Sequence, residues 1–143
     1  MDPYDFNCAH CVQAYELARR GVPVEATGLP TEYFPGVIGT GGWNLSEVEK
    51  AWGVTFQQAA PKQIVRAFQE AGLGARGFVA VLWRFGGGHL FNVENAGQVQ
   101  FVDPQTGDAD VAHYFQLAEW SAFARSDTAT PGSEVLAFVR QQG

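Results

Sequence analysis

The sequence predicts an α+β fold in which an N-terminal helix carrying a cysteine packs on an antiparallel sheet. Three observations lead there. Apolar residues recur with helical spacing over residues 7–20, and Gly21 closes the segment. A second helical pattern runs from Pro61 to Ala71. Beyond it the pattern changes period: a continuous apolar run, Gly77 to Trp83, is followed by two short segments separated by turn residues at 86–88 and 95–97.

The first helix has a broad apolar face made of Cys8, Cys11, Val12, Ala14, Tyr15, Leu17 and Ala18. Asn7 suits the N-cap, Arg19 and Arg20 suit the negative end of the helix dipole, and Gly21 suits the position after the C-cap. Val22 to Ala26 reads as a short extended segment, an edge strand because it contains Pro23. Residues 27–45 hold many Gly and Pro and little periodicity, which predicts a long surface loop. Ser46-Glu47-Val48-Glu49 has the form of a capping box and predicts a short helix through Trp52. Pro61 occupies a first helical turn; Ile64, Val65, Phe68 and Ala71 share a face, and Gly72 stops the helix. Gly77 to Trp83 predicts a central strand buried on both faces, His89 to Glu94 a second, and Gln98 to Val102 a third. Asp103 to Gly107 reads as a turn, Val111 to Ala118 as helical, and Trp120 to Arg125 and Val135 to Val139 as strands.

A chain of 143 residues with 46% hydrophobic and 17% charged residues has a globular composition and the length of one domain, residues 1–143. The formal net charge of −6 lacks the basic stripe that a nucleic-acid surface needs, so no nucleic-acid partner is expected. No apolar run reaches the roughly 18 residues of a membrane span. The start, Met1-Asp2-Pro3-Tyr4-Asp5, is acidic where a signal peptide would be basic. With Cys8 so close to that start, the domain reads as one excised from a longer polypeptide, the alternative being a complete small cytosolic protein.

Chemistry concentrates on three residues. Cys8 follows the expected N-cap, where a helix end carries partial positive charge and favours a thiolate. His89 opens a strand directly after Gly86-Gly87-Gly88, a backbone that a substrate chain can approach closely. A hairpin turning at Asn95–Gly97 pairs residues whose numbers sum to about 192, which brings Asp103 to His89. A thiol, an imidazole that takes its proton and a carboxylate that holds the ring make a nucleophilic site. Cys11, one turn further into the helix, reads as a small buried hydrophobe. Gln105 could orient a catalytic side chain or only stabilise its turn, and Asn7 could cap the helix or help place a substrate carbonyl. An oxyanion hole could use the Cys8 backbone N–H. Other readings of Cys8-Ala9-His10-Cys11 are a redox pair, or a zinc site completed by two of His10, His89 and His113. The redox fold needs a strand feeding the motif, and the zinc reading exhausts the ligand stock, so no metal or cofactor is expected. His10 and His113 otherwise read as surface or satisfied residues, and Trp83 and Phe91 as core.

Three blocks carry a family resemblance: Asn7-Cys8-Ala9-His10-Cys11-Val12 with Ala14 and Arg20-Gly21; Gly88 to Val93; and Gly97 to Gly107. In order and content they resemble the papain-fold toxin domain of the glutamine-deamidase class, found at the C-termini of bacterial polymorphic toxins and secreted effectors. Residues 27–75 carry no matching motif. The resemblance implies a papain-like fold and a triad of Cys8, His89 and Asp103. It also implies hydrolysis of a glutamine side-chain amide in a target-cell protein, delivery by a secretion system, and a cognate immunity protein as a partner. The same triad could cleave peptide bonds or join amines to glutamine as a transglutaminase. A catalytically silent module could also use the scaffold to grip a partner.

Overall fold

The computed structural model describes residues 8–22, 24–26 and 41–141. Helix α1 (Cys8–Arg19) leads into β1 (Val24–Ala26). Then come α2 (Gly41–Trp52), the two-residue β2 (Gln57–Gln58) and α3 (Pro61–Ala71). Strands β3 (Arg76–Trp83), β4 (Gly88–Asn95), β5 (Val99–Asp103) and β6 (Asp108–Ala109) follow as a meander. A 3₁₀ helix (Ala112–Leu117), β7 (Ala118–Arg125), a second 3₁₀ helix (Ser133–Ala137) and β8 (Val139–Gln141) complete the described chain. Asn7 and most of the loop expected over 27–45 lie outside the described residues.

Six strands form one antiparallel sheet in the order β2-β7-β3-β4-β5-β6, and β1 pairs with β8 in a separate two-stranded sheet. Central β3 alternates its side chains into two apolar clusters, as a strand buried on both faces must. Phe78 and Ala80, with Leu90 of β4, meet α1, α2 and the segment around Val135 and Phe138. Val79 and Val81, with Phe91, Val93 and Phe101, meet Ile64 and Phe68 of α3. Gly77 permits this second packing: a Cβ there would stand 2.4 Å from the Phe68 ring and 2.7 Å from the Ala124 carbonyl oxygen. Among the described residues no helix is long and apolar enough to cross a membrane.

Local chemistry explains the ends of the elements. After α1, the Gly21 N–H bonds to the Ala18 carbonyl and the Val22 N–H to the Leu17 carbonyl, with Gly21 at φ 88°. This paired closure at a left-handed residue is the Schellman arrangement. Between β3 and β4 the reversal uses Gly86 and Gly87, both at positive φ, which suits residues without a Cβ.

Three sequence expectations are corrected. The second helix begins at Gly41, not Ser46. Val48, Ala51 and Trp52 are buried and Leu45 packs on the same cluster, so the apolar stripe extends one turn ahead of the capping-box motif. Val135 to Val139 is mainly 3₁₀ rather than strand: Val135 and Phe138 donate to carbonyls three residues back and both face the core, and strand pairing begins only at Val139. The β4–β5 register sums to 194, not 192, because the three-residue turn lies at 96–98 rather than 95–97, with Asn95 pairing with Val99.

Candidate active site

The position of Cys8 follows from how α1 is tied to β4. Asn92 Nδ2 donates to the Val12 carbonyl at 3.2 Å, and Tyr15 and Arg19 both bond to the Glu94 carboxylate at 2.9–3.0 Å. Helix and strand numbers therefore rise together, and the first residue of α1 arrives beside the start of β4, where His89 stands. Further ties fix the helix. Gln13, fully buried, accepts from Trp52 Nε1 at 2.9 Å and donates to the Ala9 carbonyl at 2.8 Å. Glu16, also fully buried, accepts from Arg20, Arg76 and Ser126 at 2.7–3.0 Å. These donors hold the Glu16 carboxyl below its usual range although burial pushes the other way.

Cys8 is 7% exposed and shares a hydrogen bond with the His89 ring. On the other side of that ring, Nε2 lies 2.8 Å from Asp103 Oδ2. The three residues chosen from the sequence thus form one hydrogen-bonded line. The two-residue change of register preserves it. Shifting by two keeps Asp103 on the same face as His89 and makes the pair diagonal neighbours, still within reach across a sheet.

Asp103 is fully buried, and three donors satisfy its carboxylate. Oδ1 accepts from the Gln105 backbone N–H at 3.0 Å, an Asx turn through Pro104. Oδ2 accepts from His89 and also from the Tyr114 hydroxyl at 2.7 Å. Burial opposes ionisation, but these bonds and the His89 charge hold the carboxyl below its ordinary range. Gln105 therefore acts on Asp103 through its main chain.

Burial also works against the charged form of His89. The hydrogen bonds to Asp103 and Cys8, with the electrostatic pull of those two neighbours, outweigh it and raise the ring to about 9. That shift favours the imidazolium at neutral pH. Cys11 differs sharply: burial, then the charges of Cys8 and Asp103, push its thiol up to about 12. Neither cysteine is in a disulfide. With one thiol beside an imidazolium and the other held neutral, the two are chemically unequal at neutral pH.

Aromatic rings enclose the His89–Asp103 bond. Trp83 stacks on His89 with centroids 6.2 Å apart, and Tyr114 meets it edge-on at 5.7 Å. Phe91 is fully buried, and Trp83, partly buried, packs against the same core cluster. His10 is buried edge-on against Phe138, and His113 lies edge-on to Tyr114. Among the described residues no group of three His, Cys, Asp or Glu side chains is arranged to hold a metal ion. Sequence reasoning missed Tyr114, whose only local signal was a hydroxyl in a helical stretch two turns beyond the Asp-Pro turn.

A family model described as papain fold toxin 1, glutamine deamidase, matches residues 6–108, which include Cys8, His89 and Asp103. No curated protein gives a significant match to the chain.

Proposed function

The chain belongs to the papain fold toxin 1, glutamine deamidase family and has its papain-like α+β fold, and from that premise we propose that it deamidates a glutamine side chain of a target-cell protein through a thioester on Cys8. The observation that carries this reading is the line Cys8–His89–Asp103, with the Asp103 carboxylate anchored by main chain and side chain. In this proposal residues 1–143 act as a single catalytic domain.

In the first half-reaction the Cys8 sulfur attacks the carboxamide carbon. His89 gives its proton to the departing nitrogen, the C–N bond breaks, ammonia leaves and a thioester remains. The ring, now neutral, then takes a proton from water as its oxygen attacks the thioester. The C–S bond breaks, releasing glutamate and restoring the sulfur anion and the imidazolium. Asp103 keeps Nε2–H pointed at itself, so the other ring nitrogen faces the sulfur. First-turn N–H groups of a helix have no intrahelical acceptor, so the Cys8 N–H is a candidate donor to the oxyanion. The family also motivates delivery into target cells by a secretion system and a cognate immunity protein.

Mass spectrometry of candidate target proteins after incubation tests the reading. A gain of about one dalton at a glutamine, with ammonia release and dependence on Cys8, is the expected result, the +1 following from exchange of NH₂ for OH. Cys8→Ala should abolish it while the fold, read by circular dichroism, stays intact. Chain cleavage would identify a protease and amine adducts a transglutaminase. Modification that persists in Cys8→Ala would overturn the assignment of the nucleophile.

A further inference from the structure

We propose that Tyr114 is a positioning residue that sets the basicity of His89 by sharing the oxygen of Asp103 to which His89 is bonded. The inference rests on the reading of His89 as the acid–base partner of Cys8. Its geometry is independent of any substrate.

Tyr114 O–H donates to Asp103 Oδ2 at 2.7 Å, and His89 Nε2 lies 2.8 Å from the same atom. The other oxygen is taken by the Gln105 N–H. Two donors that draw on one acceptor atom compete for its electron density. Each weakens the pull that the carboxylate exerts on the other. A carboxylate held only by His89 and Gln105 would be the stronger base and would hold the imidazolium proton more tightly.

The Tyr114 ring cannot easily turn its hydroxyl elsewhere. It is packed edge-on against Phe91 at 5.4 Å, Trp83 at 5.6 Å and His89 at 5.7 Å. Its hydroxyl is raised to about 12, by burial first and then by Asp103, so it remains a donor across the working range of pH. Among the described residues the charged and titratable groups around this centre are few. From α1 come Cys8, bonded to His89, and Cys11, within reach of the Asp103 charge. Asp103 comes from β5, Asp108 of β6 acts on Tyr114, and His113 lies edge-on to the Tyr114 ring.

The test is the pKa of the His89 ring, read by NMR from its carbon-bound protons in the resting protein. In Tyr114→Phe, which removes only the hydroxyl, the His89 pKa should rise by about half a pH unit or more, the scale of one charge-assisted hydrogen bond redistributed. A site-specific 3-fluorotyrosine in place of Tyr114 keeps the shape and is a stronger donor; the His89 pKa should then fall. An unchanged His89 in both proteins, or a fall in Tyr114→Phe, would reduce Tyr114 to packing and overturn the proposal. The titration needs no turnover, so it stands apart from the glutamine assay. No deamidation by the unsubstituted protein, with the expected NMR shifts in the variants, would refute the functional reading alone, and deamidation without those shifts would refute the role of Tyr114 alone.

Discussion

Replacing Asp103 by Asn removes the charge behind His89 while keeping nearly the same shape, and its effect should appear as a change of slope in stability against pH. In the folded chain the ring titrates near 9, against an ordinary 6.5. Its side chain is 16% exposed, so solvent screening takes away little. A folded-state pKa above the unfolded one means that the native state binds the proton more tightly. The resulting stability is complete below about pH 6.5 and is lost as pH rises through 9. A gap of about 2.5 pH units at 1.36 kcal/mol each amounts to on the order of 3 kcal/mol. Asp103→Asn keeps the contribution of Cys8 and removes that of the carboxylate, so the fall between pH 6.5 and 9 should shrink to about half or less. Urea unfolding followed by Trp fluorescence at closely spaced pH values measures both curves, and Trp52 and Trp83 report from the two clusters. The comparison belongs below pH 9. Above it the unfolded chain loses the Cys11 proton that the folded chain keeps, and stability falls further in both proteins. A vertical offset between the curves is expected from the altered hydrogen bonding and carries no weight. Parallel slopes between pH 6.5 and 9 would refute the claim that Asp103 sets the charge on His89.

Two further substitutions separate chemistry from support. Cys11→Ala should retain a substantial part of the activity, because the thiol it removes is neutral at working pH; activity as low as in Cys8→Ala would mean that both sulfurs take part. Glu16→Gln should cost about 3 kcal/mol or more, read as a lowered urea midpoint, since it leaves Arg20 and Arg76 without their buried counter-charge. A midpoint within experimental error of wild type would show that solvent or neighbouring groups already satisfy those two cations.

Much of the site was legible because its signals are local. Gly21 after an apolar helix, Pro61 at a helix start and a tight turn around Gly97 each specify conformation through their own backbone, and the strand order they imply brings Cys8, His89 and Asp103 to one place. The parts that were not legible depend on distant partners. Gln13 and Glu16 sit on the buried side of α1, where hydrophobic periodicity assigns polar residues to solvent. They are inside because Trp52, Arg76 and Ser126 meet them there. Tyr114 carries no sign of its partner, since its hydroxyl reaches Asp103 only once the 3₁₀ helix lies against the β4–β5 hairpin. Gly41 and Gly42 concealed the start of α2, because glycine weakens any helix prediction and only the tertiary packing of Leu45 and Val48 reveals the extra turn. The register moved because the three-residue turn lies at 96–98, one residue later than expected, and the expected contact survived because only the parity of the shift decides which face a side chain occupies.

Cys8 lies at one end of the described chain, and the ring that faces it is supplied only after two more helices and the central strand have been laid down. An extended or half-assembled chain therefore carries an ordinary thiol and an ordinary imidazole with nothing to couple them. In the proposed mechanism reactivity therefore requires the assembled fold, because only folding brings the sulfur and the ring together.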